Sequence, residues 1–547
     1  MKKIVISMAI AAMFAVSVFA VCVSPVSLDA ADGPDENYWG FQIEGGVGQA
    51  PQFLYDEAWV MGYENETDLT IENELQLASF LYCITGGETF EGKTVTIDET
   101  LTKLDMSEHL WFPLGGAEVH IDSETYVETY FAGKFNGSNV PIKGIYLGDL
   151  NEVIELVEAE GSTLTFEGIG FFGKIKGNNS EIKNVVLADS RIVSDLSSVA
   201  MGGIVGVVDG GKVTNCVVEN SVIISNDNAT NMGGIAGTIQ GGSILNCANY
   251  SELTHNGFGT IGGIVGRIQG TNSLTSVERS YNMGDLSGIE TVGGIAGVLY
   301  DAPGNTDPAA FPSISQCFNT GTITGMDGGD SSKYAGIVGQ NEGRVQYCYN
   351  VGSIILPTDA YDASGGGIVS CNMGRIIDCY NRGTISIPVN EDYPVGPIFG
   401  YEIGEYALAV YCYFLADAES DDGALTLDQM MGLNAVTNMN LDFADYPNTG
   451  QGNIWRATEN TSSKSFFPQL MTFSENGTDR MKADSLTSVT INHDVSGGDD
   501  DNNGNGDNNG NGNGNGNGDD STLYLAVGTI VSVAVIALLY WFFVYRN

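Results

Sequence analysis

A short phrase, Gly-apolar-apolar-Gly, returns through the middle of this chain at nearly constant intervals. It stands at Gly170-Phe171-Phe172-Gly173, Gly203-Ile204-Val205-Gly206, Gly234-Ile235-Ala236-Gly237 and Gly263-Ile264-Val265-Gly266. It continues at Gly294-Ile295-Ala296-Gly297, Gly336-Ile337-Val338-Gly339 and Gly367-Ile368-Val369-Ser370, and a worn copy, Pro397-Ile398-Phe399-Gly400, closes the series. The intervals are 33, 31, 29, 31, 42, 31 and 30 residues. Self-similarity at such a period belongs to solenoids, propellers and arrays, in which one repeat cannot bury its apolar faces without its neighbours. The longest interval is read as an outward loop around Asp301-Ala302-Pro303-Gly304, which a coil carries without losing register.

Within a copy, Val, Ile and Thr alternate in runs of three to five, and no run has the 3.6-residue period of a helix. The order is an apolar strand, a Gly turn, a second apolar pair, then a Cys-aromatic-Asn-x-Gly phrase such as Cys317-Phe318-Asn319-Thr320-Gly321 or Cys348-Tyr349-Asn350-Val351-Gly352. Three short strands per ~30 residues suit a parallel β-helix rung better than a four-stranded propeller blade. The expected fold is all-β: a parallel β-helix of about eight recognisable rungs, capped at both ends.

Register then gives the recurring side chains a structural meaning. Cys216, Cys247, Cys317, Cys348, Cys379 and Cys412 fall at the same place in their rungs and should form one inward column. Rungs ~4.8 Å apart are within reach of a disulfide, but side chains stacked in parallel would be strained as bridges. Buried thiols acting as small apolar residues are the favoured reading, although an oxidising exterior argues for disulfides. Without CxxC pairs or a His in the column, zinc is not expected. Asn249, Asn282, Asn319, Asn350 and Asn381 should form a second stack, amide to amide, supporting a sharp turn.

The ends suggest an address. Met1-Lys2-Lys3 followed by an apolar run has the order of a secretory signal, with cleavage after Val18-Phe19-Ala20 or near Ala30-Ala31, unless the run stays as an anchor. Leu523 to Val544 gives 22 residues without charge, enough at ~1.5 Å each to span a bilayer. Tyr524, Tyr540 and Trp541 sit near its two ends, where interfacial aromatics are expected. Before it, Gly497 to Asp520 is a tract of Gly, Asn and Asp with no apolar residue, read as a flexible tether; the spacing of a calcium loop is absent. The expected organisation is a signal peptide at 1–31, an N-terminal cap region at 32–130 and β-helix repeats at 131–415. A C-terminal cap region at 416–496, a stalk at 497–520 and a transmembrane anchor with a short tail at 521–547 complete it. The product would be a single-pass surface protein with an external N-terminal ectodomain.

At this point the residues resemble a family. The GGIxG phrases followed by Cys-Tyr-Asn-x-Gly look like the GLUG-type repeats of microbial surface proteins, which form right-handed parallel β-helices. Leu69 to Gly92 looks like that family's entry cap, and Phe131-Ala132-Gly133-Lys134-Phe135-Asn136-Gly137 like its first-rung phrase. Leu425 to Met431, Trp455 and Phe467-Pro468-Gln469-Leu470 look like its closing cap. The chain departs from the pattern in having no sortase-type wall signal and no recognisable peptidase domain. The resemblance implies an adhesin-like surface protein and transfers no active site.

Charge narrows the partners. With 22 Lys+Arg against 68 Asp+Glu and a net charge of −46, nucleic acid is excluded as a partner. The expected role is non-catalytic and without cofactor: adhesion or envelope interaction through an extracellular glycan or surface protein. A β-helix polysaccharide lyase or hydrolase is the rival, and a structural envelope component the third reading. An enzyme of that kind needs clustered carboxylates and a cation at the sugar. The four histidines, His109, His120, His255 and His493, are scattered, and His255 reads as a solvated residue of an outer loop. Lys212, Arg344 and Arg375 each follow a turn glycine and should stack into a small basic stripe, for an anionic glycan or acidic partner or merely screening nearby carboxylates. Sequons at Asn65, Asn136, Asn178, Asn228, Asn460 and Asn476 are possible surface glycosylation sites, while Asn249 falls in the interior stack.

Overall fold

The computed structural model describes residue 39 and residues 54–474, apart from 121–125, 160–161, 229, 272–273, 303–304, 306–309, 361, 388–392, 417–422, 444–453 and 457–466. The signal peptide, stalk and anchor expected at the two ends, the sequons at Asn460 and Asn476, and most of the 301–309 loop lie outside the described residues. Among the described residues no helix is long and apolar enough to cross a membrane.

The chain winds as an all-β parallel solenoid. Each complete turn contributes five strands, as in Lys212–Thr214, Val217–Glu219, Val222–Ser225, Thr230–Gly233 and Ala236–Gln240. We call the stacks they form faces I to V; among the described residues they contain 11, 11, 7, 8 and 8 strands, or about seven complete turns. The three strands per rung read from the sequence are therefore too few. Two- and three-residue strands carry no visible alternation, and most corners between them in that turn are only two residues long, too short to leave a gap in the apolar pattern. Eight phrase copies match the eight strands of faces IV and V. Face III is one strand shorter because in an early turn only Tyr146 bridges to it, opposite Arg191, before the chain leaves in a helix, Leu150–Ala159.

Parallel register stacks like on like. In one turn Val213, Val218, Ile223, Met232 and Ile239 point inward, one from each face, and all have 0% exposure. Burying each such side chain is worth roughly 1.5–3 kcal/mol, so the core is one continuous apolar column.

The repeat glycines are explained by closeness. Gly206, Gly237 and Gly266 lie outside the left-handed region; a Cβ on them would come within 2.4, 2.3 and 2.4 Å of the backbone nitrogens of Ile169, Met201 and Met232. Faces IV and V thus stack backbone on backbone, which only glycine permits. The left-handed positions are elsewhere. Asn215, Asn246, Gln316, Tyr347, Asp378 and Tyr411, each just before a column cysteine, have φ of 54°, 55°, 54°, 54°, 53° and 54° and turn the corner between faces I and II.

The N-terminal end is closed by helix α1 (Glu57–Gly62) and helix α2 (Glu74–Thr85). Asn73 accepts the Gln76 amide N–H at 3.0 Å and Gln76 accepts that of Glu72 at 2.8 Å, a reciprocal start signal for α2. Phe80 of α2 stacks on Phe135 at 5.6 Å and meets Phe131 and Phe172 edge-on, sealing the first turns. Parallel pairing already begins with Asp68–Ile71 against Thr94–Ile97, within the stretch read as a cap.

The C-terminal segment does not simply close the far end. Ala424–Leu425 extends face II by one strand, but Trp455–Arg456 pairs with Gln469–Leu470 and runs back along the flank. Trp455 lies 6.1 and 5.5 Å from the rings of Tyr349 and Tyr380, and Phe473 lies 5.5 and 5.1 Å from Tyr281 and Phe318. The aromatic of each Cys-aromatic-Asn phrase faces outward and needs a cover; this strap supplies it.

Candidate functional site

The interior stacks consume the polar groups that the repeat phrase provides. Asn350 donates through Nδ2 to Gly352 O at 2.9 Å and to Asn381 Oδ1 at 2.9 Å. Its Oδ1 accepts from Gly352 N at 3.1 Å and from Asn319 Nδ2 at 3.0 Å. All four valences of the amide are used. Asn249, Asn282 and Asn319 continue the line, with each Nδ2 reaching the next Oδ1 at 2.8, 2.8 and 3.0 Å. Asn249 is fully buried, leaving no room for a glycan.

The cysteines line one column as free thiols. Cys317, Cys348, Cys379 and Cys412 donate to the carbonyl two residues back at 3.3, 3.1, 3.2 and 3.4 Å, bracing the left-handed corner they follow. Cys216 and Cys247 do the same at 3.4 Å each. Ser280, which replaces cysteine in one turn, donates to Glu278 O at 2.9 Å and accepts Cys247 N at 3.1 Å. The column is therefore a row of weak hydrogen-bonding corner braces as well as apolar filling. Burial pushes the Cys348 and Cys379 thiols well up, which keeps them protonated and unreactive.

The basic positions do not form one stripe. Lys212 pairs with Ser243, which pairs with Ser276, then Ser313, then Arg344, then Arg375. Arg344 and Arg375 are direct neighbours on face I, both half-buried, while three serine-bearing turns separate them from Lys212. Lys212 instead neighbours Glu181, whose other neighbour is Lys134. The phrase copies at Gly234, Gly263 and Gly294 lie between Lys212 and Arg344, so the repeat spacing itself sets these two cations apart.

His255 is a second correction. It ends the strand Glu252–His255 with 1% exposure, accepts Gly257 N at Nδ1 (3.1 Å), and places Nε2 3.3 Å from Thr230 O. Burial lowers its pKa, so the ring stays neutral and shapes a turn. His109 packs edge-on against Trp39 at 4.7 Å beside a cavity of about 550 Å³. Two of the three carboxylates there are engaged: Glu74 accepts the Asp105 amide at 2.9 Å, and Asp105 accepts from Lys103 Nζ at 2.7 Å and Ser107 Oγ at 2.6 Å. No group of three or more His, Cys, Asp or Glu suited to a metal occurs among the described residues.

Of the sequons, Asn65, Asn178 and Asn228 are exposed and Asn136 is half-buried. Asn136 accepts from Asn184 Nδ2 at 2.9 Å and so heads an outer ladder, continued by Asn215 to Asn184 and Asn246 to Asn215 at 3.2 Å each. The signal for this ladder was present in the sequence as the repeated Asn-Cys pair at 215–216 and 246–247.

Comparison with known proteins adds little to this geometry. No family model and no curated protein matches the chain. One solved structure is similar, a Bacteroides ovatus chain whose designation as an immunoglobulin A1 protease is itself provisional. It is 17% identical, covers 74% of this chain and 92% of its own, and superposes with a TM-score of 0.35. At that score the likeness carries neither activity nor substrate to this chain.

Proposed function

We propose that the protein is a non-catalytic, surface-displayed β-helix of the GLUG type that engages an extracellular glycan or surface protein. The observation that carries this reading is where the repeated polar groups go. The Asn amides and Cys thiols bond to one another and to the backbone inside the coil, so the repeat builds a rigid scaffold and leaves recognition to the exterior. A secretory leader, a Gly/Asn/Asp stalk and a C-terminal anchor, as the sequence suggests, would place that exterior outside the cell. The test is the full chain in detergent micelles on a broad glycan array, with product release assayed on acidic polysaccharides. Binding without new reducing ends or unsaturated sugars is the expected result. Cleavage would overturn the non-catalytic reading.

A further inference from the structure

Near the N-terminal end, successive corners between face V and face I differ in length. Phe131 stands opposite Ile175, and Lys134 pairs with Glu181. Ala132 and Gly133 therefore face a corner that runs from Lys176 to Ser180. In the following turn Val208 pairs with Ile175 and Lys212 with Glu181, and that corner is shorter again. The long corner overhangs the shorter one before it. The result is a groove of about 470 Å³ with Gly92, Gly133 and Lys134 in its lining and exposed Asn178 and Asn179 in its wall.

Three lysines line the groove, in different states. Lys93 donates through Nζ to the carbonyls of Tyr63, Glu64 and Glu66 at 2.9, 3.2 and 2.6 Å. All three of its donors are used, so it contributes a fixed positive field. Lys176 is held by Glu128 at 2.8 Å and over the Tyr130 ring at 4.8 Å. Glu128 and Glu167 together also hold the buried Lys174, so this cluster of two lysines and two glutamates is balanced. The Lys134 side chain is exposed and makes no hydrogen bond or ion pair among the described residues. Glu91 in the lining and Glu181 beside Lys134 are the opposing charges. The attraction for an anion here is local, from lysines gathered at one corner, because residues 93–212 as a whole carry nine Lys and Arg against 18 Asp and Glu.

We propose that this corner groove binds an acidic glycan segment, with Lys134 meeting a uronate carboxylate, Lys93 supplying fixed field, and the Asn178 and Asn179 amides reaching sugar hydroxyls. It rests on the glycan reading above and replaces the Lys212–Arg344–Arg375 stripe as its location. Asparagine amides donate and accept, which suits vicinal hydroxyls, and the glycine floor lets a sugar approach the backbone.

Titration calorimetry with tetragalacturonate, on the full chain from a host that attaches no glycan to Asn178, tests the site. Wild-type protein binds with an affinity that falls as salt rises. Lys134→Gln weakens it by about 3-fold and Lys134→Glu by about 10-fold, in keeping with an exposed charge pair. Arg344→Glu leaves it unchanged. The Gln variant guards against the like-charge pair that Glu would make with Glu181. Binding that survives both Lys134 variants but is lost with Arg344→Glu overturns the groove and leaves glycan recognition standing. A wild-type chain that binds only neutral glycans also overturns the groove; one that binds none overturns both.

Discussion

A Cβ placed on Gly336 would lie 2.3 Å from Cγ of Asn350, and the same holds for Gly263 and Asn282. The two phrases of the repeat are thus halves of one contact: the Asn ladder fits only because the first glycine of each Gly-apolar-apolar-Gly copy has no side chain. Gly336→Ala is expected to destabilise the fold by about 1–3 kcal/mol through overpacking. Gly62→Ala, where nothing lies within 4 Å of the added carbon, is the control and should be neutral. Urea denaturation of both variants decides the matter.

Interior and exterior ladders should differ in worth. Asn319→Ala leaves Asn282 Nδ2 and Asn350 Oδ1 each short of a partner inside the core, a cost of about 1–3 kcal/mol for each unsatisfied group. Asn256→Ala removes an exposed rung, the 2.7 Å bond to Asn226, and water replaces it. Its expected effect is below about 0.5 kcal/mol. Equal effects in thermal denaturation would contradict the assignment of these stacks.

The thiol column predicts a pattern of chemistry and of tolerance. Cys379→Ser should be accepted, because Ser280 already fills the equivalent role with Glu278 O and Cys247 N. Cys379→Ala loses the brace to Ile377 O at 3.2 Å and should be the less stable of the two. In the native protein Cys317, Cys348 and Cys379 should not react with a thiol reagent until the chain is unfolded, since all three have 0% exposure.

Asp378 gives the C-terminal region a pH dependence. Burial, with Asp442 nearby, raises its carboxyl to about 6 from 3.8. The folded protein then holds a proton that the unfolded chain has already released. This contribution to stability is full below about 3.8 and is lost as pH rises through about 6. Asp378→Asn should remove that loss and raise the thermal midpoint at pH 7. His255 acts in the opposite sense: its lowered pKa contributes stability above 6.5 that is lost in acid. A pH profile of the midpoint for the wild type and Asp378→Asn separates the two.

The strap over the aromatic ladder should open first. Phe473→Ala uncovers Tyr281 and Phe318, while Tyr380 Oη keeps its 2.7 Å bond to Pro468 O. Faster hydrogen exchange confined to residues 467–474, with the solenoid strands unchanged, is the expected signature.

The repeating phrase by itself determined the solenoid, because a fixed period with apolar residues at constant offsets has one economical solution, stacking like on like. It also placed the cysteine and asparagine columns, since equal offsets in successive turns become neighbours. The sequence understated the strands per turn, as two-residue strands and corners turned by a single left-handed residue leave no periodic trace. Only the tertiary structure decided what surrounds each position. It buried His255 behind the turn at Gly257, set the long Lys176–Ser180 corner over Ala132 and Gly133, and laid Trp455 and Phe473 on the flank. Each of these depends on how corners of unequal length, or segments far apart in the chain, come into contact, and neither is encoded in a local pattern.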